Sequence, residues 1–150
     1  SLLLGKDGTL DLEAVDLSET RANLQAVTWC SRDGAQLWAT VTPIVLDMMP
    51  PRRHEDRDAF ALEQINLACE RVGLPAPSQA TISPVSRFVG APHCRDFPPM
   101  HRKPDGARRW HVHAVLSWDK PVRGPVLLGA GRFRGMGLLR PLNGRSEAAS

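Results

Sequence analysis

The sequence predicts an α+β domain built on a small antiparallel sheet. Three observations support this class. A stretch with helical periodicity begins near residue 58 and lies between segments rich in β-branched residues, the segment RWHVHAVLSW alternates between its two faces, and five glycines cluster between residues 124 and 137 before a short apolar run. The predicted order is β, α, β, β, short α, β, which is the βαββαβ pattern of ferredoxin-like (RRM-like) domains.

Residues 1–25 form an acidic lead-in that mixes short apolar pairs with carboxylates and carries no clear periodicity. We interpret it as part of a missing preceding domain. Because the first residue is Ser1 rather than Met, we also expect the chain to be a piece of a longer protein. The main domain is predicted over residues 26–145, followed by a tail at 146–150.

The first strand is predicted within AVTWCSRDGAQLWATVTPIVLD, residues 26–47. Two runs rich in β-branched and aromatic residues flank Asp33-Gly34, a dipeptide that commonly joins the strands of a hairpin, so this segment is a strand or a hairpin. The following MMPPRRHEDR interrupts regular structure, because consecutive prolines remove backbone donors and fix φ.

The helix is predicted over DAFALEQINLACERV, with Asp58 as its cap and an end before Gly73 and Pro75. An apolar stripe at three- and four-residue spacing is expected to pack on the sheet. The stripe comprises Ala61, Ile65, Ala68, Cys69 and Val72, and the residues predicted away from it are Glu63, Gln64, Glu70 and Arg71.

Two further strands follow the helix. Residues 79–89 are β-rich but contain Pro84, which indicates an edge strand or a bulge. In RWHVHAVLSW the side chains alternate between two faces. One face carries His111, His113, Val115 and Ser117, and the other carries Trp110, Val112, Ala114, Leu116 and Trp118. Beyond it, PVRGPVLLGAG predicts a short helix or turn, and MGLLRPL predicts the last short strand.

Composition excludes several protein classes. Hydrophobic residues make up 42% and charged residues 23% of the 150, as in folded globular proteins, and no apolar run approaches the roughly 20 residues of a membrane span. We therefore expect a cytoplasmic protein.

The cysteines argue against disulfides and thiolate zinc sites, because Cys30, Cys69 and Cys94 are odd in number and widely spaced. A metal site at His93, Cys94 and His101 is the weaker interpretation, so neither metal nor cofactor is predicted.

Positive charge is concentrated toward the carboxyl terminus. Residues 1–100 hold nine basic and thirteen acidic side chains, whereas residues 101–145 hold ten basic side chains and only two acidic ones. Sixteen of the nineteen basic residues are arginines, whose planar guanidinium binds phosphate in two places and stacks on bases. This distribution favours a nucleic-acid partner. An arginine-rich codon usage with merely solvated charges remains the alternative.

The glycine cluster GPVLLGAGRFRGMGLLRP, residues 124–141, is compared first with dinucleotide- and phosphate-binding loops. Those loops stand directly between a strand and a long helix, and a P-loop also requires Lys before Ser or Thr. Here a strand follows the loop, so both interpretations fail. Glycines nevertheless let backbone amides approach phosphate closely, and Arg132 and Arg134 would add charge. A tight turn between packed elements is the alternative reason for the glycines.

At these residues the chain resembles the CRISPR-associated RAMP superfamily, whose glycine-rich loop stands just before the last strand, as GAG-RFR-GMG does here. Trp38 to Asp47 (W-x-x-V-T-P-x-V-L-D), ACERVGLP and PVRGPVLLGAGRFRGMGLL resemble, more narrowly, the repeat-processing half of the fused handle-binding and repeat-processing subunit of a type I effector (subtype G, formerly U). The resemblance covers roughly residues 35–142, and the three-residue spacer between glycine pairs is shorter than in many RAMP loops.

This resemblance implies that the chain binds CRISPR repeat RNA, both precursor and mature guide, together with other type I effector subunits. The implied RNA-binding residues are Gly129, Gly131, Arg132, Phe133, Arg134, Gly135, Gly137, Arg108, Arg109 and Arg123. Phe133 could stack on a splayed base, although core packing is an equally good explanation for this side chain.

The resemblance also implies a metal-independent endoribonuclease that holds the 3′ repeat hairpin. In such enzymes the ribose 2′-hydroxyl attacks the adjacent phosphate and leaves a 2′,3′-cyclic phosphate and a 5′-hydroxyl, with histidine moving the proton. The candidate catalytic residues are His113, preferred, His111 on the same strand face, and His54 next to Arg52 and Arg53. For each, a structural or surface histidine is the alternative, and the alternative function is a catalytically silent RNA-binding subunit.

Overall fold

The structure is a computed structural model that describes residues 2–3, 9–11, 13–14, 16, 21–52, 56–104 and 106–142. The strands and α-helices, in chain order, are β1 (Leu2–Leu3), β2 (Thr9–Leu10), α1 (Ala26–Trp29), β3 (Ala35–Thr40), β4 (Ile44–Leu46), α2 (Arg57–Arg71), β5 (Gln79–Ser83), β6 (Trp110–Val122) and β7 (Leu139–Pro141). Single 3₁₀ turns occupy Ala22–Leu24, Cys94–Asp96 and Arg132–Arg134. None of the described helices is long and apolar enough to span a membrane.

The long strand β6 organises the sheet. β5 pairs along one edge of β6, and β3 and β4 follow each other along the opposite edge, so that Val115 pairs with Thr81 on one side and with Ala39 on the other. β7 lies beyond β3, and all of these neighbours are antiparallel. Within the described ranges, the short strands β1 and β2 pair only with each other. The predicted α+β class with an antiparallel sheet is therefore confirmed.

The segment before β3 differs from the hairpin alternative. Residues Ala26–Trp29 form one helical turn, in which the indole N–H of Trp29 donates to the Asn23 carbonyl at 2.7 Å. Gly34, with φ +89°, directly precedes β3, so the Asp33-Gly34 turn joins a helical turn to a strand. The strand prediction is therefore confirmed. The hairpin alternative is wrong, because the first β-rich run, residues 26–29, forms a helical turn held by local hydrogen bonds.

Helix α2 covers nearly the predicted residues but begins differently. Its cap is Asp56, whose carboxylate accepts from the Ala59 amide at 2.9 Å, while Asp58 lies in the first turn. Gln64 was predicted away from the apolar stripe and is instead buried, because Ala61, Gln64, Ile65 and Ala68 follow the i, i+3, i+4, i+7 spacing of one face. Val72, expected in the stripe, is the exposed C-cap.

The core lies between α2 and one face of the sheet. The predicted inner face of β6 is confirmed, since Val112, Ala114, Leu116 and Trp118 are all buried against the helix stripe. The edge strand predicted at residues 79–89 is confirmed in part, because β5 covers Gln79–Ser83 and, among the described residues, pairs with β6 alone. The strand ends before Pro84 and does not continue to residue 89.

An ion-pair cluster joins α2 to the sheet. The Asp47 carboxylate binds Arg109 at 2.7 Å and Arg71 at 2.5 Å. Burial by itself would raise the pKa of Asp47, but the hydrogen bonds and charges of Arg71 and Arg109 outweigh it and lower the pKa below its usual value. The end of α2, residue 47 after β4 and the start of β6 are thereby held together.

The predicted short helix before the glycine loop is not formed, and the turn alternative holds. Among the described residues from 123 to 142 the only helical piece is the 3₁₀ turn Arg132–Arg134. Positive φ values at Gly124 (+81°) and Gly129 (+91°) interrupt helical geometry, and Leu127 instead forms a β-bridge with Leu138.

Candidate functional site

The glycine-rich loop consists of two packed stems, at residues 129–131 and 136–138, and an exposed tip between them, at residues 132–135. Gly129, Gly131 and Gly137 are buried, and an added Cβ would lie 2.6 Å from the Val45 oxygen at Gly129 and 1.9 Å from the Leu128 oxygen at Gly137. These glycines therefore permit close backbone packing. At Gly135 the φ is +78°, but an added Cβ would meet nothing within 4 Å.

The stems are hydrogen-bonded to the chain around β4. The amide of Ala130 donates to the Val45 carbonyl at 2.9 Å, and the amide of Gly137 donates to the Pro43 carbonyl at 2.8 Å. The amide of Leu138 donates to the Thr42 hydroxyl at 3.0 Å. These three amides are occupied within the protein, so the stems hold the loop in place and leave external contacts to its tip.

The tip, Arg132 to Gly135, presents charge and an aromatic ring to solvent. Phe133 is 87% exposed, and the Arg132 guanidinium lies 4.6 Å from its ring centroid. Arg132 is half-buried and also donates to the Gly129 carbonyl at 3.0 Å, whereas Arg134 is exposed. The core-packing alternative for Phe133 does not fit this exposure.

A cleft of about 650 Å³ adjoins the tip, which we call the basic cleft. One part of its wall is apolar and comes from the end of α2 and the residues after it, namely Val72, Leu74 and Pro75. Another part comes from the end of β6 and the turn after it, residues 120–125, together with Leu127. Three cations line it, Lys120, Arg123 and Arg132, with Phe133 at its margin, and among the described lining residues none is acidic.

The structure brings part of the predicted RNA-binding set together. Arg123, Arg132 and Phe133 meet at the basic cleft. Arg109 is committed to Asp47, whereas Arg108 is exposed and does not line the cleft.

Sequence reasoning missed Lys120 and the apolar wall of the cleft. The run Lys120-Pro121-Val122-Arg123-Gly124-Pro125 was an available signal, because it combines two cations with residues that end a strand.

His113 is enclosed rather than displayed. It is 1% exposed, with Nδ1 2.9 Å from the Thr40 hydroxyl oxygen and Nε2 2.9 Å from the Pro92 carbonyl oxygen. Because a carbonyl can only accept, Nε2 carries the proton and Nδ1 of the neutral ring accepts from Thr40. Burial lowers the pKa of His113, helped by the charge of His93 and opposed by the bond to Pro92.

The other candidate histidines have different surroundings. His111 is half-buried, and its Nε2 is a buried atom with no hydrogen-bond partner in the described part of the chain. Burial and the charge of Arg108 lower the pKa of His111, against a raising effect of the Cys94 backbone. His54 lies outside the described residues. Within the described ranges, His93, Cys94 and His101 form no group able to hold a metal ion.

A family model for a CRISPR-associated protein family, the GSU0054 family, matches residues 4–141. No curated protein and no solved structure matches the chain.

Proposed function

Because this chain belongs to the GSU0054 family of CRISPR-associated proteins, we propose that it binds CRISPR repeat RNA, as precursor and as mature guide, within a type I effector complex. The proposal includes a ferredoxin-like sheet, supported by the positions of β3–β4 and β5 on either side of β6 with β7 outermost. The observation that carries it is the exposed tip beside a cleft lined by Lys120, Arg123 and Arg132.

The tip and the cleft divide the work of RNA recognition. Arg134 and the remaining donors of Arg132 bind phosphates, since guanidinium groups make paired hydrogen bonds to phosphate oxygens. Phe133 offers a ring face to an unpaired base, a contact worth about 1–3 kcal/mol per base. The open space around Gly135 lets the RNA backbone approach the chain.

Filter binding of repeat RNA across a range of salt concentrations tests this function. Arg132→Ala with Arg134→Ala removes two phosphate contacts, so affinity should fall and the slope of log affinity against log salt should decrease by about 1.4. Arg87→Ala with Arg95→Ala removes two exposed charges that do not line the cleft and serves as the matched control. Equal affinity and equal slope for both double variants would contradict the proposal.

RNA cleavage is the second candidate function, and the lone Nε2 of His111 favours it. A buried polar atom without a partner calls for an explanation. Burial and the charge of Arg108 lower the pKa of His111 and so favour the neutral imidazole, which is the form that accepts a proton from a 2′-hydroxyl. This role requires Nε2, which is buried in the structure, to become accessible to the RNA. The enzyme would be the metal-independent endoribonuclease that leaves a 2′,3′-cyclic phosphate. His113 has both nitrogens occupied, so we assign it a structural role in this proposal.

Incubation of labelled precursor repeat RNA in EDTA, with mass spectrometry of the termini, tests cleavage. His111→Ala should abolish the cyclic-phosphate product while filter binding is retained, and His54→Ala is tested in parallel because a loop histidine is its rival. Tight RNA binding without any product from the intact protein would instead support a catalytically silent RNA-binding subunit. Loss of product in His54→Ala alone would remove the assignment of His111.

A further inference from the structure

The basic cleft combines properties that a phosphate-binding surface alone does not need. Its volume of about 650 Å³ lies within the roughly 300–1,000 Å³ of sites that enclose a small organic group. Its wall includes the apolar residues Val72, Leu74 and Pro75, which a charged RNA backbone would not contact favourably. The cleft is therefore suited to a group with an apolar face.

The charged part of the wall indicates what accompanies that face. Lys120, Arg123 and Arg132 line the same cleft, and no described acidic residue lines it to neutralise them. Phe133 remains 87% exposed at its margin, with the Arg132 guanidinium beside its ring. A ligand that joins a planar aromatic ring to phosphate would match the apolar wall, the three cations and the exposed Phe133 ring. A nucleotide has this chemistry.

We propose that the basic cleft receives one unpaired nucleotide of the bound RNA, with its base between Phe133 and the apolar wall and its flanking phosphates at Lys120 and Arg123. This inference rests on the proposed function and specifies which part of the RNA the protein selects. A base within a duplex cannot enter, since its faces are covered by its neighbours. The chain therefore prefers RNA in which a single-stranded segment adjoins the hairpin.

Fluorescence of 2-aminopurine tests the inference, because stacking quenches this base analogue. The probes are a synthetic CRISPR repeat hairpin with a single-stranded tail that carries one 2-aminopurine, and the same repeat hairpin with blunt ends. Binding of the full chain should quench the tail. Phe133→Ala should abolish the quenching and weaken binding of the tailed RNA about tenfold, with little change for the blunt hairpin. Phe88 serves as the control, because its ring contacts Arg140 and does not line the cleft. Phe88→Ala should leave the quenching and the affinity for the tailed RNA unchanged.

A second pair of variants examines the opposite wall. Val72→Glu places a negative charge in the cleft at the exposed end of α2 and should reduce quenching and tailed-RNA affinity. Leu67→Glu makes the same change on the same helix outside the cleft and should reduce neither. Circular dichroism of all four variants verifies that they are folded.

The outcomes separate the two proposals. Equal affinity for tailed and blunt hairpins, with unchanged quenching in Phe133→Ala and Val72→Glu, overturns the nucleotide cleft while RNA binding stands. Failure of the intact chain to bind either hairpin overturns the proposed function itself. Adenosine monophosphate distinguishes the source of the nucleotide, and tighter binding of this free nucleotide than of the tailed hairpin would overturn the assignment to RNA.

Discussion

His113 shows how a polar residue on the outer face of a strand becomes part of the interior. The segment after β5 folds over this face, so the Pro92 carbonyl accepts from Nε2 while Thr40 donates to Nδ1. Thr40 also accepts from the Ala114 amide at 2.9 Å and is itself buried. The imidazole thus links three segments of the chain, and its neutral form is the one that these contacts stabilise.

The stability of the protein should depend on pH through this ring. Because burial lowers the pKa of His113 in the folded state, the unfolded chain binds more protons below about pH 6.5, and the free energy of unfolding should fall as the pH decreases from 7 to 5. His111 contributes with the same sign. Asp47, whose pKa is lowered from an ordinary value of 3.8, adds nothing in this window.

Urea denaturation across this pH range measures the effect. His113→Gln should cost about 1–3 kcal/mol at pH 8 and should flatten the decrease toward pH 5. His101→Gln, at an exposed position, should keep the full decrease. A decrease of the same size in His113→Gln would show that other groups cause it.

At the scale of elements, the glycine-rich loop depends on two different uses of glycine. Gly135 and Gly137 both have positive φ, +78° and +69°, but only Gly137 lies against the neighbouring backbone. The stem position requires a residue without a side chain, because neighbouring backbone fills the space around it. The tip position requires only a residue that adopts the left-handed conformation.

Two alanine substitutions separate these requirements in thermal unfolding. Gly135→Ala should cost about 1–2 kcal/mol, the usual penalty for a side chain in the left-handed region. Gly137→Ala should cost clearly more, because its Cβ would lie 1.9 Å from the Leu128 oxygen and the stem must move. Equal losses would mean that the stem relaxes freely.

The start of α2 offers a second test at this scale. Asp56→Ala removes the hydrogen bond to the Ala59 amide and should cost about 1 kcal/mol. Asp58→Ala removes only a carboxylate from the first turn and should cost about 0.3–1 kcal/mol, more in low salt. A larger loss for Asp58→Ala in urea denaturation would restore the cap predicted from the sequence.

Across the whole molecule, the core belongs to residues from Ala35 onward. Every described member of the core cluster lies between Ala35 and Leu139, whereas β1 and β2 pair only with each other. Residues 21–34 nevertheless support the core, since the Ser31 amide donates to the Arg123 carbonyl at 2.8 Å and the Trp29 oxygen lies close to Gly124.

Truncation should follow this division. A chain that starts at residue 21 should keep cooperative urea unfolding with a midpoint close to that of the whole chain, because its sheet and core are retained. A chain that starts at residue 35 should lose stability, since the contacts to Arg123 and Gly124 are removed. Loss of cooperative unfolding in the first truncation would place residues 1–20 within the cooperative unit.

The alternation in β6 and the spacing in α2 were sufficient to predict two of the elements that build the core. In both, burial follows from which residues share a face, and a face is set by the local period of the backbone. The boundaries were less certain, as the shift of the cap from Asp58 to Asp56 shows. The same spacing, applied strictly, would also have placed Gln64 inside, although the sequence analysis predicted it away from the stripe.

The arrangement of the candidate site could be determined only from the tertiary structure. The sequence by itself determined that glycines and arginines would stand together before the last strand, because that is a matter of order along the chain. Only the fold decided that the glycine stems pack inward while Phe133 faces solvent, that His113 is enclosed, and that Lys120 and Val72 share a cleft with Arg132. The physical reason is that exposure and proximity between distant residues arise from how elements pack on one another, which no local period encodes.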